Sequence, residues 1–231
     1  MAVIKGFAHP DFENVKEVFE RNFEEKLELG ASCAIYYRDE LVVDLWGGYR
    51  DLKRTKEWEK DTIACVFSTT KGFAAICMAL VISRGLLDLD APVSHYWEEF
   101  AQAGKQAITV RQLLNHQAGL SAIDEYLTPE KISDPDLMAK ILARQKPQWE
   151  PGTRHGYHGT SLGFFQNELL RRVDPEHRTI SKFLKEEIAD KLDSDLFIGL
   201  PRDFDEDRIA EIAAFQMYDL LLNIRSVPAK M

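Results

Sequence analysis

Thr62-Ile63-Ala64-Cys65-Val66-Phe67-Ser68-Thr69-Thr70-Lys71-Gly72-Phe73-Ala74-Ala75-Ile76-Cys77-Met78-Ala79-Leu80-Val81-Ile82 is the stretch whose reading decides the fold. Its first part, residues 62–67, is short, β-branched and apolar, which predicts a strand. Phe73, Ile76, Leu80, Ile82 and Leu86 then mark a long helix that ends near Gly85, with Asp88, Asp90 and Pro92 beyond. A helix apolar nearly all round belongs at the centre of a fold. At the junction stand Ser68 and Lys71, three residues apart and so one turn apart on the same helix face. Their hydroxyl and amine can touch. A serine hydroxyl is a poor nucleophile until a base takes its proton, and a lysine is that base only if burial or a cationic neighbour lowers its pKa. A helix start adds backbone N–H groups and a positive dipole end that suit a developing oxyanion. The spacing alone is weak, because about one such pair is expected by chance in a chain of this size. The bland alternative makes Ser68 a cap and Lys71 a solvated side chain; the strand-to-helix junction argues against it.

Upstream, Phe12, Val15, Val18, Phe19, Phe23 and Leu27 predict a helix over residues 11–29 that Gly30 stops. Residues 32–38 and 41–46 flank Asp39-Glu40 and predict a hairpin, closed by Gly47-Gly48. Downstream, Thr109 caps a short helix over 109–116 that Gly119 ends, and Asp134 with Pro135 opens another over 135–143. Residues 146–159 read as an ordered loop, and 160–172, 179–192 and 207–224 as helices. Only three strand-like runs appear, all before residue 68. Three strands do not easily cover so apolar a helix, so either other helices surround it or further strands lie outside these residues.

A chain of 231 residues with 45% hydrophobic content can bury a sizeable core. With 29 Lys and Arg against 38 Asp and Glu, its charge of −9 repels phosphate backbones and argues against nucleic-acid partners. Cys33, Cys65 and Cys77 sit in apolar stretches without CxxC spacing, which predicts buried free thiols in a reducing compartment. No signal-like start and no membrane-length apolar run are present, and a cytoplasmic location is expected.

Phe67-Ser68-Thr69-Thr70-Lys71, followed by Gly85-Leu86-Leu87-Asp88-Leu89-Asp90-Ala91-Pro92-Val93, resembles the first active-site motif of class C β-lactamases and family VIII carboxylesterases. Residues 108–120, with Leu113-Leu114-Asn115-His116-Gln117-Ala118-Gly119-Leu120, resemble the family segment in which a short helix ends in a His-x-x-Gly-Leu turn. Pro151-Gly152 followed by Tyr157 resembles its second motif, a Pro-Gly loop leading to a Tyr-x-Asn triplet. The resemblance implies that Ser68 forms an acyl-enzyme with an ester or lactam carbonyl. It also implies that Lys71 and Tyr157 share the proton, and that the Ser68 N–H is one oxyanion donor. His116 is read as structural, its imidazole bonding loop backbone while Gly119 is left-handed, with a catalytic base as the rival role. His155 and His158 flank Tyr157, but without nearby Cys, Asp or Glu at ligand spacing no metal or other cofactor is expected.

Two departures bear on function. Tyr157-His158-Gly159 carries glycine where β-lactamases of this class usually carry asparagine, so a side-chain donor for a substrate amide is missing and an ester or simple acyl group fits better. The family's third motif, a Lys/His-x-Gly on a strand, is not supplied after Pro201. The expected fold is therefore α+β, β-lactamase/transpeptidase-like. It comprises N-terminal helix and strands over 1–67 and a mainly helical lobe over 68–231, a single partial domain lacking the C-terminal strands of the central sheet. The expected function is a serine hydrolase of small carboxylic esters or related acyl substrates, truncated here, with unpaired sheet edges that invite self-association. The alternative is a catalytically inactive scaffold or binding protein of the same fold.

Overall fold

The computed structural model describes residues 2–213. They fall into two compact units, one holding the residues up to Cys65 with those from Arg202 onward, the other Val66–Pro201. Sequence patterning put everything from residue 68 on into the helical lobe. Residues 202–213 instead belong to the first unit, where they meet the segment that follows its strands: Ile63 N–H donates to Arg208 O at 2.9 Å, Ala210 N–H to Ile63 O at 2.8 Å and Glu211 N–H to Arg50 O at 2.8 Å.

The first unit is an antiparallel sheet in the order β1-β3-β2, formed by β1 (Ile4–Ala8), β2 (Gly30–Tyr37) and β3 (Glu40–Gly48), with helix α1 (Glu13–Glu24). The β2–β3 hairpin turns at Arg38 and Asp39, both at positive φ (50° and 65°), the pattern of a tight two-residue turn whose twist matches the strands. Phe19 of α1 packs on Val42, Val43 and Leu45 of the central strand.

Three expectations change here. Helix α1 ends at Glu24, where Lys26 takes φ 60° and Leu27 N–H donates to Asn22 O at 2.8 Å. Gly30 begins strand β2, opposite Gly48, and glycine is required there because a Cβ would lie 2.2 Å from Tyr49 O. Ile4–Ala8 is a strand that patterning missed, whereas residues 62–67 form, among the described residues, only the single parallel bridge Ile63–Ile209 and then a 3-10 turn, Phe67–Thr69.

The second unit is helical. Helix α2 (Thr70–Ser83) is followed by α3 (Val110–Leu114), α4 (Pro129–Ser133), α5 (Pro135–Arg144), α6 (Leu162–Val173) and α7 (Ile180–Leu184). The last continues through a π turn, Lys185–Ala189, into a 3-10 turn, Asp190–Leu192. Ala74, Cys77, Met78 and Val81 give α2 one buried stripe at helical spacing, facing a core that includes Trp97, Phe100, Phe165 and Phe183. The expected all-round burial of α2 does not occur among the described residues: Ile76 is 49% exposed, and Ala75 and Ala79 are exposed beside it.

Cap chemistry sets the ends of the short helices. Thr109 and Gln112 form a reciprocal capping box on α3, and Asp134 accepts from the N–H groups of Asp136 and Leu137 at the start of α5. The far end of α5 is closed by the buried Lys105, whose Nζ donates to Ala143 O at 2.8 Å and Gln145 O at 2.7 Å, as well as to Gln102 O at 2.9 Å. Burial pushes its pKa down to about 8. Beyond Gln145 the chain enters the loop 146–159.

The cysteines are free, but only Cys77 is buried; Cys65 is exposed, because the strand expected around it does not form. The part of the helix expected over 207–224 that can be described, residues 207–213, is a 3-10 turn (Glu206–Arg208) followed by the bridge residue Ile209 and non-helical chain, and the rest lies outside the described residues. No helix among the described residues is long and apolar enough to cross a membrane.

Candidate active site

Ser68 sits in the 3-10 turn that leads into α2, directly after Phe67, whose φ of 45° is a left-handed conformation that a bulky residue adopts only under strain. The turn leaves Ser68 exposed and puts Lys71 on the same side: Lys71 Nζ lies 3.2 Å from Ser68 Oγ. A second Lys71 donation runs to Gly159 O at 2.6 Å, and the ammonium stands 5.0 Å from the centre of the Tyr157 ring. All three residues read from the sequence as the reacting set, Ser68, Lys71 and Tyr157, are thus brought together. The Tyr157 phenol is drawn below its ordinary pKa, first by the Ser68 hydroxyl and then by Lys71.

Tyr157 reaches this place because its loop is stitched to the turn after α3. Gln148 N–H donates to Gly119 O at 2.7 Å, Gly152 N–H to Gln117 O at 2.9 Å and Gly156 N–H to His116 O at 3.2 Å. Gly119 has φ 75°, and a Cβ there would stand 2.7 Å from Trp149 O, so the close approach of loop and turn requires glycine.

The histidines divide by their partners. His158 is fully buried; its Nε2 accepts the Leu120 N–H at 2.9 Å, which leaves the proton on Nδ1, 2.6 Å from Gly156 O. Ser161 Oγ donates to Leu120 O at 2.6 Å beside it. Both His158 nitrogens are spent on backbone, and burial lowers its pKa. His116 Nδ1 accepts the His158 N–H at 3.0 Å, so the proton of the neutral ring is on Nε2. The exposed His155 ring meets His116 edge-on at 5.8 Å. Among the described residues no group of three His, Cys, Asp or Glu side chains is gathered that could hold a metal ion.

Sequence reading missed two participants. One is the Gly159 carbonyl, the shortest contact of Lys71; a backbone oxygen leaves no signal in residue identity. The other is the strained Phe67. A Cβ at Gly159 would meet only the Tyr157 ring, at 3.5–3.6 Å, ordinary van der Waals contact, so crowding at the Cβ does not impose glycine.

A family model described as Beta-lactamase matches residues 19–211. The chain belongs to the beta-lactamase family. It is 35% identical over 208 residues to the Esterase/beta-lactamase LipL of Mycobacterium tuberculosis, a match covering 90% of this chain and 48% of that one. Among solved structures, a family VIII carboxylesterase superposes with a TM-score of 0.87 at 39% identity, covering 91% of this chain and 57% of the other. A penicillin-binding protein homolog from Caulobacter crescentus gives a TM-score of 0.86 at 42% identity, covering 92% and 56%. The α+β, β-lactamase/transpeptidase-like fold is thereby established, and the chain spans about half the length of these relatives.

Proposed function

We propose that this chain carries the nucleophile and proton-transfer groups of a serine hydrolase acting on carboxylic esters or related acyl compounds. The observation that carries the reading is the placement of Lys71 Nζ between Ser68 Oγ and Gly159 O, alongside the Tyr157 ring. An ammonium that donates to both oxygens is not itself a proton acceptor, and its charge favours the phenolate of Tyr157. Tyr157 then takes the Ser68 proton as Ser68 Oγ attacks the carbonyl carbon. As the intermediate collapses, the leaving alkoxide departs with that proton. Water loses a proton to Tyr157 and attacks the acyl-serine; as that intermediate collapses, Tyr157 passes the proton to the departing Ser68 Oγ, releasing the carboxylic acid and restoring the Ser68 hydroxyl and the phenolate. The Ser68 N–H stabilises the oxyanion.

Similarity to an esterase/beta-lactamase and to a family VIII carboxylesterase supports this chemistry. Gly159, which offers no side-chain donor to a substrate amide although the space around it admits a Cβ, supports esters over lactams. Three free thiols support a reducing, cytoplasmic setting.

The test is labelling with a fluorophosphonate probe, located by peptide mass spectrometry, together with p-nitrophenyl ester hydrolysis. We expect the adduct on Ser68, its loss in Ser68→Ala, and a fall of about a hundredfold or more in ester hydrolysis in Tyr157→Phe. Labelling that persists in Ser68→Ala refutes the assignment, and no reaction at all leaves the inactive scaffold as the reading.

A further inference from the structure

His116 holds the chain on both sides of Tyr157. Its carbonyl accepts the Gly156 N–H at 3.2 Å, and its Nδ1 accepts the His158 N–H at 3.0 Å. Its ring also packs on the Tyr157 ring at 5.2 Å between centroids. The residue pays for this with a left-handed backbone, φ 61°, which an ordinary side chain resists. His116 was read from the sequence as a loop-binding histidine or a rival base; the ring nitrogen that accepts a proton is already occupied by a backbone N–H, which excludes the second role in this geometry.

We infer that His116 is the positioning residue of Tyr157, and that protonating its imidazole releases Tyr157 from Lys71 and Ser68, so that His116 sets the acid limit of the site. An imidazolium has no acceptor nitrogen, so protonation at Nδ1 must break the bond from the His158 N–H, one of the two that bracket Tyr157. The titratable groups that face it are Lys71 from the start of α2 and His155, Tyr157 and His158 from the loop. Burial, then His158, His155 and Lys71, hold the imidazole neutral below its ordinary range. As pH falls through that lowered value, the bracket opens. The inference rests on the hydrolase reading for its effect on rate, but not for its effect on Tyr157.

The decisive comparison is wild type, His116→Ala and His116→Asn. Asparagine tolerates a left-handed backbone, and its Oδ1 replaces Nδ1 as acceptor without titrating. Tyr157 ionisation is read by ultraviolet difference spectroscopy with Tyr157→Phe as the blank, and Ser68 labelling by fluorophosphonate rate across pH. In His116→Ala the Tyr157 titration is expected to move up by about one pH unit, as the phenol leaves Lys71, and labelling to slow about tenfold or more. His116→Asn should recover most of both and extend labelling to lower pH than wild type. A Tyr157 titration identical in wild type and His116→Ala overturns the inference. If the alanine variant does not fold, an acid limb in His116→Asn equal to that of wild type overturns it instead. If Ser68 is never labelled while the Tyr157 titration still responds to His116, the hydrolase reading fails and this one stands.

Discussion

The two ends of α2 are built on opposite principles. At its start the strained Phe67, the exposed Ser68 and Lys71 meet few partners, and Lys71 is held by a hydroxyl and one carbonyl. Just past its end, Arg84 enters a dense ion network. Arg84 Nη2 lies 2.7 Å from Glu187, which also binds Lys191 at 2.6 Å and Arg178 at 3.2 Å. Arg178, buried, forms a two-point contact with the buried Asp174, at 2.8 Å on each arm. The π turn at Lys185–Ala189 allows the adjacent Glu186 and Glu187 both to reach its guanidinium. One end is densely paired and fixes the helix; the other keeps groups less committed, as the proposed reaction needs. Strain and exposure at the first end are tolerated because the second end and the buried stripe hold the helix in place.

That contrast can be broken most directly at the paired end. Arg178→Met leaves Asp174 buried without its partner and should cost about 3–5 kcal/mol in urea unfolding, whereas Lys71→Met at the other end should stay within about 1 kcal/mol. Equal costs would erase the distinction. A smaller effect of opposite sign is expected at Phe67. Phe67→Gly removes the left-handed penalty and should raise stability by about 1 kcal/mol while slowing Ser68 labelling; a loss of stability would mean that the turn is not strained.

The paired end should also show a pH dependence. Arg84 first, then Lys191 and Arg178, hold Glu187 down at about 2, below its ordinary 4.5. Because the folded value lies below the unfolded one, the stabilisation is complete above about pH 4.5 and is lost as pH falls toward 2. The gap in Tm between wild type and Glu187→Gln should therefore shrink steadily over that window, and a gap constant with pH would show that Glu187 contributes no linked proton.

Local chemistry was readable wherever a few neighbouring residues decide the outcome. Thr109, Asp134 with Pro135, and the polar turn between two β-rich runs each announced an element that is present. Reading failed where partners are distant. Residues 62–67 have strand composition but, among the described residues, form a single bridge at Ile209, and Ile4–Ala8, with Gly6 inside it, lacks strand composition yet pairs along β3. Gly30 carries the mark of a helix stop, and its reason is Tyr49. In the site, Ser68, Lys71 and Tyr157 were legible as side chains in a motif, and His116 as a side chain that bonds loop backbone, while the Gly159 carbonyl and the fact that the bonds of His116 flank Tyr157 were not.

By itself, then, the sequence determined the family, the order of its motifs and the three side chains that meet, because these depend on residue identity and short spacing. Only the tertiary structure decided which histidine nitrogens are free, which oxygen receives Lys71 and what holds Tyr157 against it. Those depend on backbone N–H and C=O groups, which every residue carries alike and which only the folded chain brings to particular places.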